Sequence, residues 1–242
     1  MTEKWHGARS IGILAGGLCA LLSAMGMRAE AATLRVLPVR VELAAGKQFC
    51  ALTIANDDAA STTLQIRGYG WRKDGEGNDR LDPDAGLVVN PSIVSIPAGE
   101  TRLVRCSLPA GGGAREESYR LVIDELPTGP VAPGMLRTLL RVSIPLFRAP
   151  ANAAPMLNWA VVKGADGQPR IALANQGDRH VQVAAVILHP AGSGKAVKLE
   201  RGFYLLAGGR IELPLASQAA IARVEVQTTR GTLPASRAVG ER

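Results

Sequence analysis

Histidine, cysteine and aromatic residues are scarce in this 242-residue chain: three His, three Cys, and aromatics at only 4%. Each scarcity excludes some chemistry. Beyond the first 31 residues only His180 and His189 remain, in no His-x-x-x-His or Cys-x-x-Cys arrangement, so a metal site lacks its usual ligands. Both read as surface or structural histidines. No Gly-x-Ser-x-Gly elbow, serine–lysine box or acid/base carboxylate pair is present, and Gly111-Gly-Gly113 lacks the strand-to-helix setting of a phosphate loop. These absences argue against an enzyme and against a cofactor. The net charge is +7, but the bases are scattered, as at Arg67, Arg72, Lys73, Arg102, Arg137 and Arg141, with no interleaved aromatics. Nucleic acid is therefore not an expected partner; the charge reads either as that of a soluble, slightly basic secreted protein or as that of a binder of anionic groups on a partner, such as a carboxylate.

Only one stretch is strongly apolar. Residues 1–31 have a basic start at Lys4 and Arg9, an apolar run from Ile11 to Met25, and Ala29-Glu30-Ala31 as a small-x-small cleavage pattern. That is the form of a secretory signal, and the run is shorter than the roughly 20 residues a membrane-spanning helix needs. No later stretch is apolar enough to span a membrane, so the mature chain is not expected to insert in one. The expected location is an oxidising, extracytoplasmic compartment. The two remaining cysteines, Cys50 and Cys106, alternate with apolar neighbours and read as facing one core. They are either a disulfide or two buried thiols acting as small hydrophobes.

Helical periodicity is nearly absent as well. Short alternating runs recur between Gly, Pro, Asn and Asp clusters, the pattern of an all-β sandwich. Strands are expected over 33–43, 48–55, 62–71, 87–89, 92–96, 101–108 and 117–126. Residues 148–155, rich in Pro and Ala, read as a linker. Strands resume over 157–163, 169–175, 180–188, 196–199, 202–206, 210–215 and 222–229, with a hairpin turn at Gly164-Ala-Asp-Gly167; the last dozen residues are expected to fray. Leu52-Thr-Ile-Ala-Asn56 is echoed by Ile171-Ala-Leu-Ala-Asn175. The expected organisation is a signal over 1–31, one sandwich over 32–150 and a smaller one over 151–242.

The stretch Gly134 to Phe147 stands out. At a period of two, Leu136, Thr138, Leu140, Val142, Ile144 and Leu146 share one face, which predicts a strand of about a dozen residues, twice the usual length. Pro145 cannot donate to a ladder, so that end is an edge or an exit. An open edge recruits another chain. The apolar row either serves that recruitment or faces the protein's own core.

Four elements stand in order: the Asn56-Asp57 turn, Pro97-Ala-Gly-Glu-Thr-Arg-Leu-Val-Arg105, Tyr119-Arg-Leu-Val-Ile-Asp-Glu-Leu-Pro127, and a long strand closing on Ile144-Pro-Leu-Phe147. In these the chain resembles the periplasmic pilus (fimbrial) assembly chaperones, the PapD-like family. Glu117-Ser-Tyr-Arg120 is closer to the archaic, spore-coat-U-type branch. The resemblance implies two immunoglobulin-like sandwiches set at an angle, a periplasmic location, and a strand lent to pilus subunits that are then passed to an outer-membrane usher. It implies a donor row of Leu136, Thr138, Leu140, Val142 and Ile144. It also implies that Arg40 anchors the subunit's C-terminal carboxylate. The family's second base, a Lys, falls at Pro145 here, leaving Arg105, Arg120 or Arg148 as substitutes; Arg105 is alternatively an internal arginine paired with a carboxylate such as Glu125. The other reading is a secreted two-domain β-sandwich binding or adhesion module, which would show exposed aromatics on one face or Ca²⁺-ligating Asp clusters.

Overall fold

The computed structural model describes residues 34–74, 76–83, 85–127, 129, 134, 136–215 and 220–238. The expected secretory signal lies outside the described residues. All regular structure among those described is β-strand, as the recurrent period-two runs require.

The first ten strands are β1 (Leu34–Leu37), β2 (Val41–Leu43), β3 (Phe49–Asn56), β4 (Thr62–Lys73), β5 (Asp79–Asp82), β6 (Val88–Asn90), β7 (Ile93–Ile96), β8 (Thr101–Ser107), β9 (Glu117–Glu125) and β10 (Arg141–Arg148). One sheet runs β1-β3-β8-β6; the other runs β2-β10-β9-β4-β5, with β7 also on β4. The expected single strand over 33–43 is thus two strands in two different sheets. The chain crosses between them at Pro38, which has no N–H to continue a ladder. Between the sheets lie Leu52, Ile54, Leu64, Ile66, Ile96, Val104, Leu121, Ile123, Ile144 and Leu146, nearly free of solvent. Each such side chain contributes roughly 1.5–3 kcal/mol by leaving water. Cys50 and Cys106 face each other across β3 and β8 and form a disulfide, with Cα atoms 4.9 Å apart.

The second sandwich is made of β11 (Leu157–Lys163), β12 (Pro169–Asn175), β13 (Val181–Pro190), β14 (Val197–Leu205), β15 (Arg210–Pro214), β16 (Ile221–Thr228) and β17 (Gly231–Arg237). The hydrogen-bonded order is β14-β13-β16-β17-β11-β12-β15 around a separate core of Trp159, Ile171, Leu173, Val183, Leu213, Val224 and Val226. Two sequence expectations are corrected here. The two strands expected over 196–199 and 202–206 are one, β14, because a register shift between Val183 and Ala185 breaks the phase of its alternation. The terminal residues expected to fray include β17, held by β16 on one side and by a short parallel contact to β11 on the other.

The echo at Asn56 and Asn175 is structural. Both side chains are almost fully buried, at 1% exposure. Asn56 Nδ2 donates to the carbonyls of Ala60, Ile96 and Pro97, and its Oδ1 accepts from the Asp58 amide. Asn175 Nδ2 donates to Arg179, Leu205 and Leu206, and its Oδ1 accepts from the Gly177 and Met156 amides. In each sandwich one asparagine ends a strand and ties down a distant turn whose glycine, Gly99 or Gly208, takes a positive φ of 70°. Replacing either residue by Ala strands buried carbonyls and an amide. Asn56→Ala and Asn175→Ala are each expected to lose roughly 3 kcal/mol, read as a shift of the urea transition of the sandwich concerned.

Candidate functional site

β10 is the last strand of the first sandwich, and the two sides of its ladder differ. On one side every residue from Arg141 to Arg148 pairs with β9. On the other, only Leu146–Arg148 pair, in parallel with β2. Residues 141–145 therefore present an unpaired edge among the described residues. Pro145, which has no N–H to offer, lies on this stretch.

The expected dozen-residue strand is shorter. Residues 136–140 carry no regular structure, and their link to β9 is a pair of bonds between Leu140 and Glu125: Glu125 N donates to the Leu140 carbonyl (2.9 Å), and Leu140 N donates to Glu125 Oε2 (3.0 Å). The expected donor row divides accordingly. Ile144 is 2% exposed and belongs to the protein's own core, with Val142 packed against that core. Leu136 is fully exposed, Thr138 is exposed and Leu140 is half-buried. Leu139, from the opposite alternation, is 43% exposed beside them.

Three side chains hold the start of β10 on the outer face of its sheet. Arg141 Nε and Arg67 Nη2 both donate to the Asp124 carboxylate. Burial opposes ionisation of Asp124, but the hydrogen bonds from Arg141 and Arg67 more than offset it and hold its carboxyl below the ordinary range.

At its other end β10 enters the joint with the second sandwich. Phe147 stacks on His180, rings 3.7 Å apart and nearly parallel at 14°. Trp71, Tyr204 and Leu206 complete a buried cluster around it. Glu116 fixes the histidine: its Oε1 is 2.7 Å from His180 Nδ1 and accepts from the His180 backbone amide at 2.9 Å. His180 is thus structural.

The candidate bases separate into distinct roles. Arg148 is buried, donating to Glu117 Oε2 and, at 2.8 Å, to the Pro109 carbonyl. It is the internal structural arginine and is corrected as a free base. Arg105 is exposed, and Glu125 instead accepts from Thr62 Oγ1 and Leu140, so the expected Arg105–Glu125 pairing is corrected too. Arg120 lies directly across the ladder from Pro145. Its guanidinium sits 3.6 Å over the Trp71 ring and 3.5 Å from Asp79, and burial pushes its pKa down against the opposing effect of Asp79 and Tyr204.

Arg40 reaches across the joint, its Nη1 donating to Gln182 Oε1 at 3.1 Å. Two arginines of the second sandwich, absent from the sequence expectation, join it around one carboxylate. Glu42 Oε1 is 3.0 Å from Arg40 Nε and 3.2 Å from Arg230 Nη2, and Oε2 is 2.8 Å from Arg179 Nη2. Arg40, Arg179 and Arg230 line a cleft of about 290 Å³ with Gln182, Thr228 and Leu233. Arg179 precedes β13, and Arg230 sits in the β16–β17 turn. They lie 139 and 190 positions from Arg40, and no local period marks them.

Two sandwiches, each tied by a buried asparagine, with an open edge strand running into their joint, define an immunoglobulin-like two-domain protein. The model of the family described as pili and flagellar-assembly chaperone, PapD N-terminal domain, matches residues 33–154, and the chain belongs to that family. No curated protein matches it in sequence. Among solved structures it is similar to a chain of the CsuC–CsuE chaperone–tip adhesion subunit pre-assembly complex from the archaic chaperone-usher Csu pili of Acinetobacter baumannii. That match has a TM-score of 0.70 at 23% identity, over 86% of this chain and 100% of that one. It is similar also to the CupB2 chaperone of Pseudomonas aeruginosa (TM-score 0.54, 18% identity, 84% and 100% covered). The Salmonella enterica SafA pilin–SafB chaperone complex matches at 0.57 and 17%, over 85% and 96%. These likenesses share the two-domain sandwich fold.

The Asp124 clamp has a defined pH signature. Because its folded-state pKa is depressed, its contribution is present above the ordinary aspartate value of about 3.9 and is lost as pH falls through the lower folded value. Asp124→Asn is expected to melt below wild type at neutral pH. The gap should close in acid, as followed by thermal unfolding across a pH series.

Proposed function

We propose that this protein is a periplasmic chaperone that binds, folds and caps pilus subunits by lending them the edge of β10, and then delivers them to an outer-membrane usher. The observation that carries this reading is the one-sided ladder: residues 141–145 are paired to β9 and open on the other side, with exposed Leu136 and Leu139 and half-buried Leu140 just before them. A subunit strand added there gains main-chain hydrogen bonds without disturbing the core that holds Ile144 and Leu146. The lent apolar side chains are then Leu136 and Leu140, which share one alternation, with Val142 contributing only where it leaves its own core. Fully burying two leucines would contribute roughly 3–6 kcal/mol gross, before the ordering of 136–140 is subtracted. Residues 1–31 act as the secretory signal that carries the chain to the periplasm.

The subunit's terminal carboxylate is anchored in the cleft by Arg40, with Arg179 and Arg230 in place of the base that Pro145 cannot supply. Arginine suits this contact because its planar fork meets both carboxylate oxygens.

Coexpression with a pilus subunit that depends on it for solubility tests both parts. Leu136→Asp, at a position with no contact to the core, is expected to leave the chaperone folded and lower soluble subunit yield about tenfold, a loss in the range of one buried leucine. Unchanged yield would refute lending by this segment. Separately, Arg40→Ala and Arg230→Ala are expected to weaken a wild-type subunit roughly tenfold each, but not one lacking its terminal carboxylate; equal loss for both subunits would place the anchor elsewhere.

A further inference from the structure

We propose that Glu42 is an internal stand-in for the partner's carboxylate: it shares the arginine triad in the free protein and weakens the triad's hold on a second carboxylate arriving in the cleft. This rests on the carboxylate site proposed above. Glu42 stands on β2, directly beside Phe147 in the parallel pairing with β10, so its backbone is fixed at the joint. Its two oxygens meet three guanidinium groups, one from the first sandwich and two from the second. An ordinary surface ion pair needs one.

Glu42 meets the triad from outside the cleft. The residues lining the 290 Å³ cleft include Arg40, Arg179 and Arg230 but no Asp or Glu. Glu42 lines a neighbouring cleft of about 480 Å³, sharing only Arg179 with the first. A guanidinium carries five N–H donors. Glu42 engages Nε of Arg40 and one Nη2 each of Arg179 and Arg230, and Gln182 takes Nη1 of Arg40. Donors therefore remain on each arginine for a second anion on the cleft side. The group of three cations and one anion keeps an excess of positive charge, so a carboxylate is still attracted, but less strongly than by three unshared arginines.

Two consequences follow from that geometry. Stray anions bind poorly, because Glu42 already offsets part of the charge of the three guanidinium groups. A carboxylate that arrives with additional contacts along β10 wins, because the rest of its chain supplies the difference. Glu42 thus sets a threshold that favours a strand-borne carboxylate over a free one.

Titrating the protein with sodium acetate at fixed ionic strength, while following the Arg Nε–Hε resonances of Arg40, Arg179 and Arg230, tests the role directly. Acetate is expected to shift these resonances in wild type and in Glu42→Gln, with an apparent Kd about tenfold lower in the variant. Acetamide should shift neither form. Glu42→Ala should move in the same direction as Glu42→Gln, and unchanged amide resonances of β4, β9 and β13 would show that both variants fold. Equal or weaker acetate binding in the variants would overturn the stand-in role while leaving the arginine site standing. Resonances that ignore acetate in every form would remove the carboxylate site, and the stand-in role with it.

Discussion

The stack of Phe147 on His180 fixes the end of β10 in the joint of the two sandwiches. A strand has two faces and two edges. One face of β10 fills the core through Ile144 and Leu146, and one edge is taken by β9. Phe147 turns the other face into the joint, where the second sandwich packs on it through His180 and Tyr204. Immediately alongside, β2 closes the second edge from Leu146 onward. What is left is a short stretch of open ladder, bounded by a rigid aromatic contact at one end and by exposed leucines at the other. Its register is set by the joint, because a one-residue slip would put Phe147 into the core and a core residue into the joint.

The same joint explains why the charged cleft is built from both sandwiches. Arg40 belongs to the short segment between β1 and β2, which the first sandwich holds against β10. Arg179 and Arg230 come from turns at the end of the second sandwich that meets it. Their common carboxylate, Glu42, is the point where three chain segments become one electrostatic unit. If the stack at Phe147 loosened, the arginines would lose their common geometry as well as their shared partner.

Much of the fold was legible in the sequence because its information is local. Period-two alternation marks strands, and Asn, Gly and Pro mark their ends; the echo at Asn56 and Asn175 even located the repeated turn-holding device. The open strand was also visible, but not how it is shared out. Leucines fall on both alternations between residues 136 and 140, so periodicity alone could not say that the even positions turn inward from Val142 on. The misplaced bases have the same origin. Arg105 and Arg148 look alike in sequence, yet one stands on an exposed sheet surface and the other is sealed beneath Glu117 and Pro109. Arg179 and Arg230 carried no local signal, because their partner is far away in the chain and is reached only when the two sandwiches meet.

The disulfide lies in the sheet that does not carry β10. Cys50 and Cys106 join β3 to β8, whereas β10, β9 and β4 belong to the opposite sheet. In mechanical terms the first sandwich has a stapled back wall and an unstapled front. Load placed on the open edge, as when a partner strand zips on or is peeled off, is borne by hydrogen bonds and packing that can adjust. The covalent tie keeps the far wall in shape, a division of stiffness suited to the lending of the edge proposed above.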